Sequence, residues 1–155
     1  KAINRAKEYC KEKGKDLKIE IEVRNFDELQ QVLDLQVLTK LSEKGLSIGL
    51  ASSSPRKEIN QMLSDCQLEK YFSFTISGEE VKESKPNPEI YTISRKMLNC
   101  PDCLAVEDST LGIASAKAAG IYTVALKQAF LMDQREADVV INELEELLSL
   151  PQLIK

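Results

Sequence analysis

Hydrophobic residues in the first third of the chain recur with two different periods. Residues 17–23 alternate apolar and charged side chains, which predicts a β-strand. The next stretch repeats its apolar positions every fourth residue and predicts one long helix from an Asn25 cap to Gly45, through Leu29, Leu33, Val37 and Leu41. Residues 2–13, which end at Gly14, predict a further helix before the strand.

After Gly45, short apolar runs alternate with amphipathic segments. Strands are predicted at residues 47–51, 74–77, 104–106, 122–125 and 138–141, with a loop at 126–137. Helices are predicted at 110–119 and after three capping pairs, Ser54 with Pro55, Asn87 with Pro88, and Asn142 with Glu145. Alternating strands and helices imply parallel pairing and right-handed crossovers. We therefore expect residues 1–155 to form a single three-layer α/β/α domain with a Rossmann-like parallel sheet.

Composition narrows the class of protein. The 155 residues are 43% hydrophobic and 30% charged, which is typical of a soluble globular domain. A net charge of -4 argues against nucleic acid as a partner. No apolar run is long enough to cross a membrane, and no signal peptide opens the chain, so we expect a cytoplasmic protein.

Four cysteines, Cys10, Cys66, Cys100 and Cys103, are unevenly spaced in a chain that has enough apolar residues for a core. This spacing favours free thiols over disulfides. The pair Cys100 and Cys103 matches a redox Cys-x-x-Cys in spacing, but it precedes a predicted strand rather than opening a helix.

Residues that could bind a ligand lie at the ends of predicted strands and ahead of a predicted helix. Ser52 follows the strand at 47–51, Glu107 and Asp108 follow the strand at 104–106, and Lys85 precedes a helix. In an open α/β sheet, ligands bind beyond the carboxyl ends of the strands. A lysine there suits phosphate oxygens, and two carboxylates suit magnesium. The plainer alternatives are a loop serine, a solvated lysine and an acidic pair that only caps the next helix.

Three motifs resemble those of haloacid dehalogenase-like hydrolases, and among them the beta-phosphoglucomutase-like branch. They are Ala51-Ser52-Ser53-Ser54, Lys85-Pro86-Asn87-Pro88, and Glu107-Asp108-Ser109 with Gly112 and Gly120. The resemblance covers residues 37–155. It implies that Ser52, Ser53 and Lys85 bind the phosphate of a phosphorylated small molecule, and that Glu107 and Asp108 hold magnesium.

One motif of that family is missing. The family's nucleophile belongs to an Asp-x-Asp motif at the end of the central strand, and this sequence has no Asp-x-Asp. We therefore predict a catalytically inactive core that keeps weak phosphate and magnesium binding, in which Lys85 and Asp108 are inherited catalytic candidates. Glu22 is a poor substitute nucleophile, because phosphoryl transfer needs in-line placement and a displacement of about 1 Å costs about a hundredfold in rate.

Residues 1–33 resemble a different family, the quinolinate (nicotinate-nucleotide) phosphoribosyltransferases, through Lys-Ile-Glu-Ile-Glu-Val and the following Asn-Phe-Asp-Glu-Leu. That resemblance implies that Glu20 or Glu22 derives from a residue that binds the phosphoribosyl donor. Two resemblances meeting in one helix suggest an engineered chimera, in which residues 17–23 fill the central slot of the sheet and the cap domain is absent. The alternative is an incomplete phosphatase or beta-phosphoglucomutase-like enzyme. We expect a monomer, or a weak dimer through an exposed edge at 138–141.

Overall fold

In the part of the chain that the structure describes, six strands form one sheet, and every pairing between them is parallel. The computed structural model describes residues 18–22, 35–128 and 131–150, with the backbone alone for the first range. The strands are β1 (Lys18–Glu22), β2 (Ser47–Ser52), β3 (Phe72–Ser77), β4 (Cys103–Glu107), β5 (Tyr122–Leu126) and β6 (Val139–Ile141). Their order across the sheet is β3-β2-β1-β4-β5-β6. The predicted parallel α/β fold is confirmed.

The first strand occupies the centre of the sheet. β1 pairs with β2 on one side and with β4 on the other, and Lys18 lies opposite both Ser47 and Cys103. The prediction that residues 17–23 fill the central slot is confirmed for residues 18–22. The chain moves from β1 out to β3 and then returns to β4 on the other side, so strand order reverses beside β1. A reversal of this kind opens a crevice at the carboxyl ends of the strands.

Helices cover both faces of the sheet. They are α1 (Leu35–Glu43), α2 (Arg56–Asp65), α3 (Glu89–Leu98) and α4 (Thr110–Ala118), joined by short 3-10 helices at Glu69–Tyr71, Gly78–Glu80 and Leu144–Ser149. One core cluster joins α1, α2 and the last 3-10 helix to the sheet, and the other joins α3 and α4 to its opposite face. In β4, Leu104 and Val106 belong to the first cluster and Cys103 and Ala105 to the second. This alternation follows from the pleat of a strand and directs Glu107 toward α3 and α4.

The helix caps in the structure differ from the predicted ones. Ser54 does not cap α2, because the first helical carbonyl is that of Pro55, which accepts the N–H of Ile59. Near the end of the chain the capping pair is Glu143 with Glu146, one residue later than the predicted Asn142 with Glu145. Asn142 follows β6 directly, so the turn begins only after it. At α3 the first helical carbonyl is likewise that of the proline, since Pro88 accepts the N–H of Thr92, although Asn87 Oδ1 accepts the N–H of Glu89 at 2.9 Å.

The remaining expectations concern the loop, the sheet edge and the thiols. The structure has loop at residues 127–128 and 131–138, and β6 is an edge strand, as predicted. Cys66, Cys100 and Cys103 are free thiols, although Cys103 begins β4 rather than preceding it. The helix at 2–13, the start of the long helix before residue 35, Cys10 and the side chains of Glu20 and Glu22 lie outside the described residues. Within the described part of the chain, no helix is long and apolar enough to span a membrane.

Candidate active site

The candidate site lies at the carboxyl ends of β1, β2 and β4. Glu107 is the last residue of β4, and Ser52 is the last residue of β2. Ile21 of β1 pairs with Val106 of β4, so the next position of each strand brings the backbones of Glu22 and Glu107 side by side. The carboxyl ends of these three strands therefore lie side by side.

A buried ion pair forms the middle of the site. Lys85 Nζ lies 2.8 Å from Glu107 Oε1, and the two side chains are 6% and 0% exposed. Lys85 belongs to the segment between β3 and α3 and precedes Pro86 through a cis peptide bond. This burial excludes the alternative of a solvated lysine. A buried charge requires a partner of opposite sign, and each residue supplies it for the other.

Tyr91 contacts both members of that pair. Its side chain is fully buried, and its hydroxyl donates to Glu107 Oε1, the oxygen that Lys85 also contacts. The Lys85 ammonium lies 4.5 Å from the centre of the Tyr91 ring, within the range of a cation–π interaction. Sequence reasoning missed Tyr91. Its position in the first turn of α3, beside the lysine motif, was the available signal, because a buried tyrosine hydroxyl usually needs a polar partner.

The other oxygen of Glu107 faces the start of α4. Ser109 Oγ donates to Glu107 Oε2 at 3.3 Å and accepts the N–H of Gly112 at 3.0 Å. Ser109 is the cap of α4, which excludes the alternative that the acidic pair is itself the cap. A Cβ atom on Gly112 would lie 2.0–2.2 Å from the Glu107 carboxylate. Glycine at this position therefore makes room for the carboxylate, whose charge is favoured at the positive end of a helix.

Asp108, which lies between Glu107 and Ser109 in the chain, is buried, and a residue of a neighbouring loop is hydrogen-bonded to its backbone. The side-chain amide of Gln134 donates to the carbonyl oxygen of Asp108 at 3.0 Å and to that of Leu126 at 2.9 Å. Gln134 belongs to the loop between β5 and β6, so one side chain joins the carboxyl ends of β4 and β5. The sequence carried no signal for it, because it lies in a loop without periodicity.

Ser53, which directly follows β2, borders a cleft of about 140 Å³. Its lining includes both candidates Ser53 and Lys85, and consists of Ser53, Gly78, Val81, Ser84, Lys85, Ile90, Ser109 and Leu111. Ser52 is buried, and its Oγ accepts the N–H of Ser54 at 3.1 Å. The last residue of β3 is hydrogen-bonded to this segment, since Ser77 Oγ donates to the carbonyl of Ser54 at 2.7 Å. The structure thus brings Ser53 and Lys85 to one cleft and places Ser52 next to it.

Glu107 and Asp108 are the carboxylates available for a metal ion. Across residues 35–128 and 131–150, no group of three or more acidic, histidine or cysteine side chains is placed to hold one. Magnesium, however, is commonly held by one or two carboxylates together with waters and substrate phosphates. The carboxylates of Glu107 and Asp108 are buried beside the cleft and are the kind of oxygen ligand that magnesium prefers.

A parallel sheet in this order, with a lysine and two carboxylates at the carboxyl ends of its strands, is typical of α/β proteins that bind their ligands at those ends. The family model for haloacid dehalogenase-like hydrolases matches residues 2–126, and the chain belongs to this family. The match begins at residue 2, so it includes most of the segment in which the sequence resembles a phosphoribosyltransferase.

Relatives of this chain are phosphatases and phosphomutases. The phosphorylated carbohydrates phosphatase of Thermotoga maritima is 33% identical over 126 residues, which cover 73% of this chain and 58% of that protein. The phosphoglycolate phosphatase of Escherichia coli K12 is 34% identical over 117 residues, covering 72% and 46%. The crystal structure of beta-phosphoglucomutase from Clostridium difficile superposes with a TM-score of 0.64 at 27% identity, covering 73% of this chain and 50% of that one. The chain thus spans about half the length of these relatives.

Proposed function

We propose that this chain is the phosphate-binding core of a haloacid dehalogenase-like phosphohydrolase, with a phosphorylated small molecule as its ligand. The observation that carries the proposal is the buried Lys85 ammonium, which lines the cleft and lies 2.8 Å from Glu107. The names of two relatives, phosphatases of phosphorylated carbohydrates and of phosphoglycolate, support a phosphate ester as the substrate class.

Lys85 supplies the positive charge for the phosphate. An ammonium group has three N–H donors, and Glu107 Oε1 takes one of them. Hydrogen bonds from a charged donor to phosphate oxygens are shorter and stronger than neutral ones. Ser53 and Ser84 line the same cleft, and their hydroxyls are neutral donors for the phosphate. Ser52 stabilises the turn that presents Ser53, through its bond to the N–H of Ser54.

Asp108, with Glu107 beside it, would hold a magnesium ion. Glu107 already accepts from Lys85, Tyr91 and Ser109, so we assign the principal contact to Asp108. Bound magnesium would supply positive charge to the phosphate oxygens. Gln134 fixes the Asp108 backbone and so limits where the carboxylate can lie.

We further propose that the chain as given binds phosphate without turning over a phosphate ester. The proposal rests on the absence of an Asp-x-Asp motif, because without that nucleophile no phospho-enzyme intermediate forms. The second candidate is a phosphatase or beta-phosphoglucomutase-like enzyme that this sequence represents in part. It is favoured by the coverage of the relatives, of which the chain spans 58% and 46%.

A chimeric origin for residues 1–33 is a separate hypothesis. It is supported by the Lys-Ile-Glu-Ile-Glu-Val sequence around β1 and by the missing nucleophile motif. The family match over residues 2–126 does not support it. On either origin, β1 occupies the slot in which the family carries its nucleophile.

Titration with inorganic phosphate in the presence of magnesium tests the binding site. A ligand that binds only the folded state raises the melting temperature. We expect phosphate to raise the Tm of the wild type, and to raise that of Lys85→Met and Asp108→Asn much less. Lys82→Met is the matched control, because Lys82 is an exposed lysine of the same loop. Equal shifts in all four proteins would contradict the assigned site.

Hydrolysis of a generic phosphomonoester tests turnover on protein of verified mass. We expect no rate above that of Asp108→Asn. Turnover that Lys85→Met abolishes and Lys82→Met leaves intact would overturn the absence of catalysis and favour the second candidate.

A further inference from the structure

We propose that Tyr91 is a positioning residue, which holds Lys85 and Glu107 in the arrangement that binds phosphate. The inference rests on the proposed function of the cleft. It starts from one observation, which is that Tyr91 contacts both charges of the buried ion pair with different parts of its side chain.

The hydroxyl of Tyr91 fixes the carboxylate. It donates to Glu107 Oε1, which Lys85 Nζ also contacts at 2.8 Å, while Ser109 Oγ donates to Oε2. A carboxylate with donors on both oxygens, and with Gly112 packed against it, cannot rotate without losing bonds. The negative charge that attracts Lys85 is therefore held in one place.

The ring of Tyr91 restricts the ammonium. Lys85 Nζ lies 4.5 Å from the ring centre, and the lysine side chain is almost entirely buried. The electron-rich face of an aromatic ring attracts a cation, and the attraction is stronger when water is excluded. Lys85 is thus held by an anion and by a ring, and these two contacts restrict where its ammonium can lie beside the cleft.

Packing alone does not account for a tyrosine here. Tyr91 belongs to an apolar cluster with Ile90 and Ala105, where a phenylalanine would fill nearly the same volume. Burying a hydroxyl in such surroundings is unfavourable unless it is hydrogen-bonded. The bond that Tyr91 makes is to a carboxylate of the candidate site, so the hydroxyl acts on the charge arrangement of the cleft.

Tyr91→Phe removes the hydroxyl and keeps the ring. The chain offers a closely matched control in Tyr71→Phe. The Tyr71 hydroxyl lies 3.0 Å from Thr39 Oγ1, and its ring lies 5.2 Å from Lys70 Nζ. Tyr71 immediately precedes β3, at the amino end of the strand, whereas the cleft lies at the carboxyl ends. Both variants lose a tyrosine hydroxyl bond, but only one loses it at the site.

The dissociation constant of inorganic phosphate, measured on folded protein, separates positioning from a structural role. A hydrogen bond to a charged group is strong enough that we expect Tyr91→Phe to bind phosphate about tenfold more weakly. Tyr71→Phe should bind phosphate as the wild type does, although it also loses thermal stability. A merely structural Tyr91 would lower the Tm and leave the dissociation constant unchanged.

The outcomes distinguish this inference from the proposed function. Phosphate bound equally well by the wild type and Tyr91→Phe would overturn the role of Tyr91 and leave the phosphate site intact. A wild type that binds no phosphate would overturn both.

A second measurement needs no Tyr91 variant. In the wild type, the ring current of Tyr91 should shift the side-chain proton resonances of Lys85 upfield, with Lys85→Arg used to assign them. Shifted resonances support the ring contact, and Lys85 resonances at ordinary lysine positions would overturn it.

Discussion

Two ion pairs of this protein have the same length and opposite surroundings. Lys85 and Glu107 lie 2.8 Å apart at the candidate site, and Arg135 and Asp133 lie 2.8 Å apart in the loop between β5 and β6. The side chains of the first pair are 6% and 0% exposed, and those of the second are 89% and 49% exposed. Distance alone therefore does not tell which pair matters to the protein.

Water makes the difference. Around the loop pair it screens both charges and solvates either one when the other is removed. Around the site pair there is little water, so removing one charge leaves the other buried without compensation. The contribution of the site pair to stability also depends on Tyr91 and Ser109, because both donate hydrogen bonds to Glu107. The four predictions below test this contrast.

Lys85→Met should have the largest effect. It leaves Glu107 buried without its cation, and breaking a buried pair in this way destabilises a protein by about 3–5 kcal/mol. The free energy of unfolding in urea measures the loss. The double variant Lys85→Met/Glu107→Gln should recover much of it, because no uncompensated charge remains. A loss no larger than that of an exposed pair would show that burial does not decide the energy here.

Gly112→Ala should come next. Its Cβ would lie 2.0–2.2 Å from the Glu107 carboxylate, which has to move away from its partners. Overpacking of this kind costs about 1–3 kcal/mol, whereas alanine is favoured over glycine by about 1 kcal/mol in an unconstrained helix. Urea unfolding again provides the measurement. A stabilised Gly112→Ala variant would mean that the carboxylate is free to shift.

Asp138→Asn should have a smaller effect that depends on pH. Lys117 lies 2.7 Å from Asp138, and their side chains are 34% and 27% exposed, between the two extremes. Burial raises the pKa of Asp138, but hydrogen bonds from Lys117 and the Thr123 N–H outweigh it and lower the pKa from 3.8. A lowered pKa stabilises the fold above the unfolded value and loses that effect as the pH falls.

Melting curves across acidic and neutral pH measure this contribution. We expect Asp138→Asn to melt below the wild type at neutral pH, with the two curves converging as the pH falls below 3.8. A difference in Tm that stays constant down to the acid limit would contradict the assigned role of the carboxylate charge.

Asp133→Asn should have the smallest effect. Hydrogen bonds from Arg135 lower the pKa of Asp133 to about 2, yet both groups are exposed to solvent. Exposed ion pairs contribute little to stability, because water replaces the lost partner. The urea midpoint at neutral pH should match that of the wild type. A destabilisation as large as that of Asp138→Asn would remove the distinction between the two pairs.

The candidate site was partly predictable. Lys85, Glu107 and Asp108 were expected at one edge, because the carboxyl ends of parallel strands meet there, and the structure places them at that edge. Tyr91 and Gln134 were not expected. The apolar pattern of α3 indicates only that Tyr91 faces the core, not which polar group its hydroxyl contacts. The loop that carries Gln134 has no hydrophobic period from which its contacts could be predicted.

One error in the predicted helix caps was a shift of a single residue. The capping pair of the last 3-10 helix is Glu143 with Glu146 rather than Asn142 with Glu145, because the helix begins at Leu144 and Asn142 lies between it and β6. A shift of one residue is enough to move a cap, but it does not change the order of the elements.

By itself, the sequence determined the alternation of strands and helices and their assembly into a parallel sheet. Those features follow from the hydrophobic period of each segment and from the handedness of its connections. Only the tertiary structure decided which side chains meet Glu107. Its donors are close in space because α3 and α4 pack on the face of β4 from which Glu107 projects, and no local pattern in the chain specifies that packing.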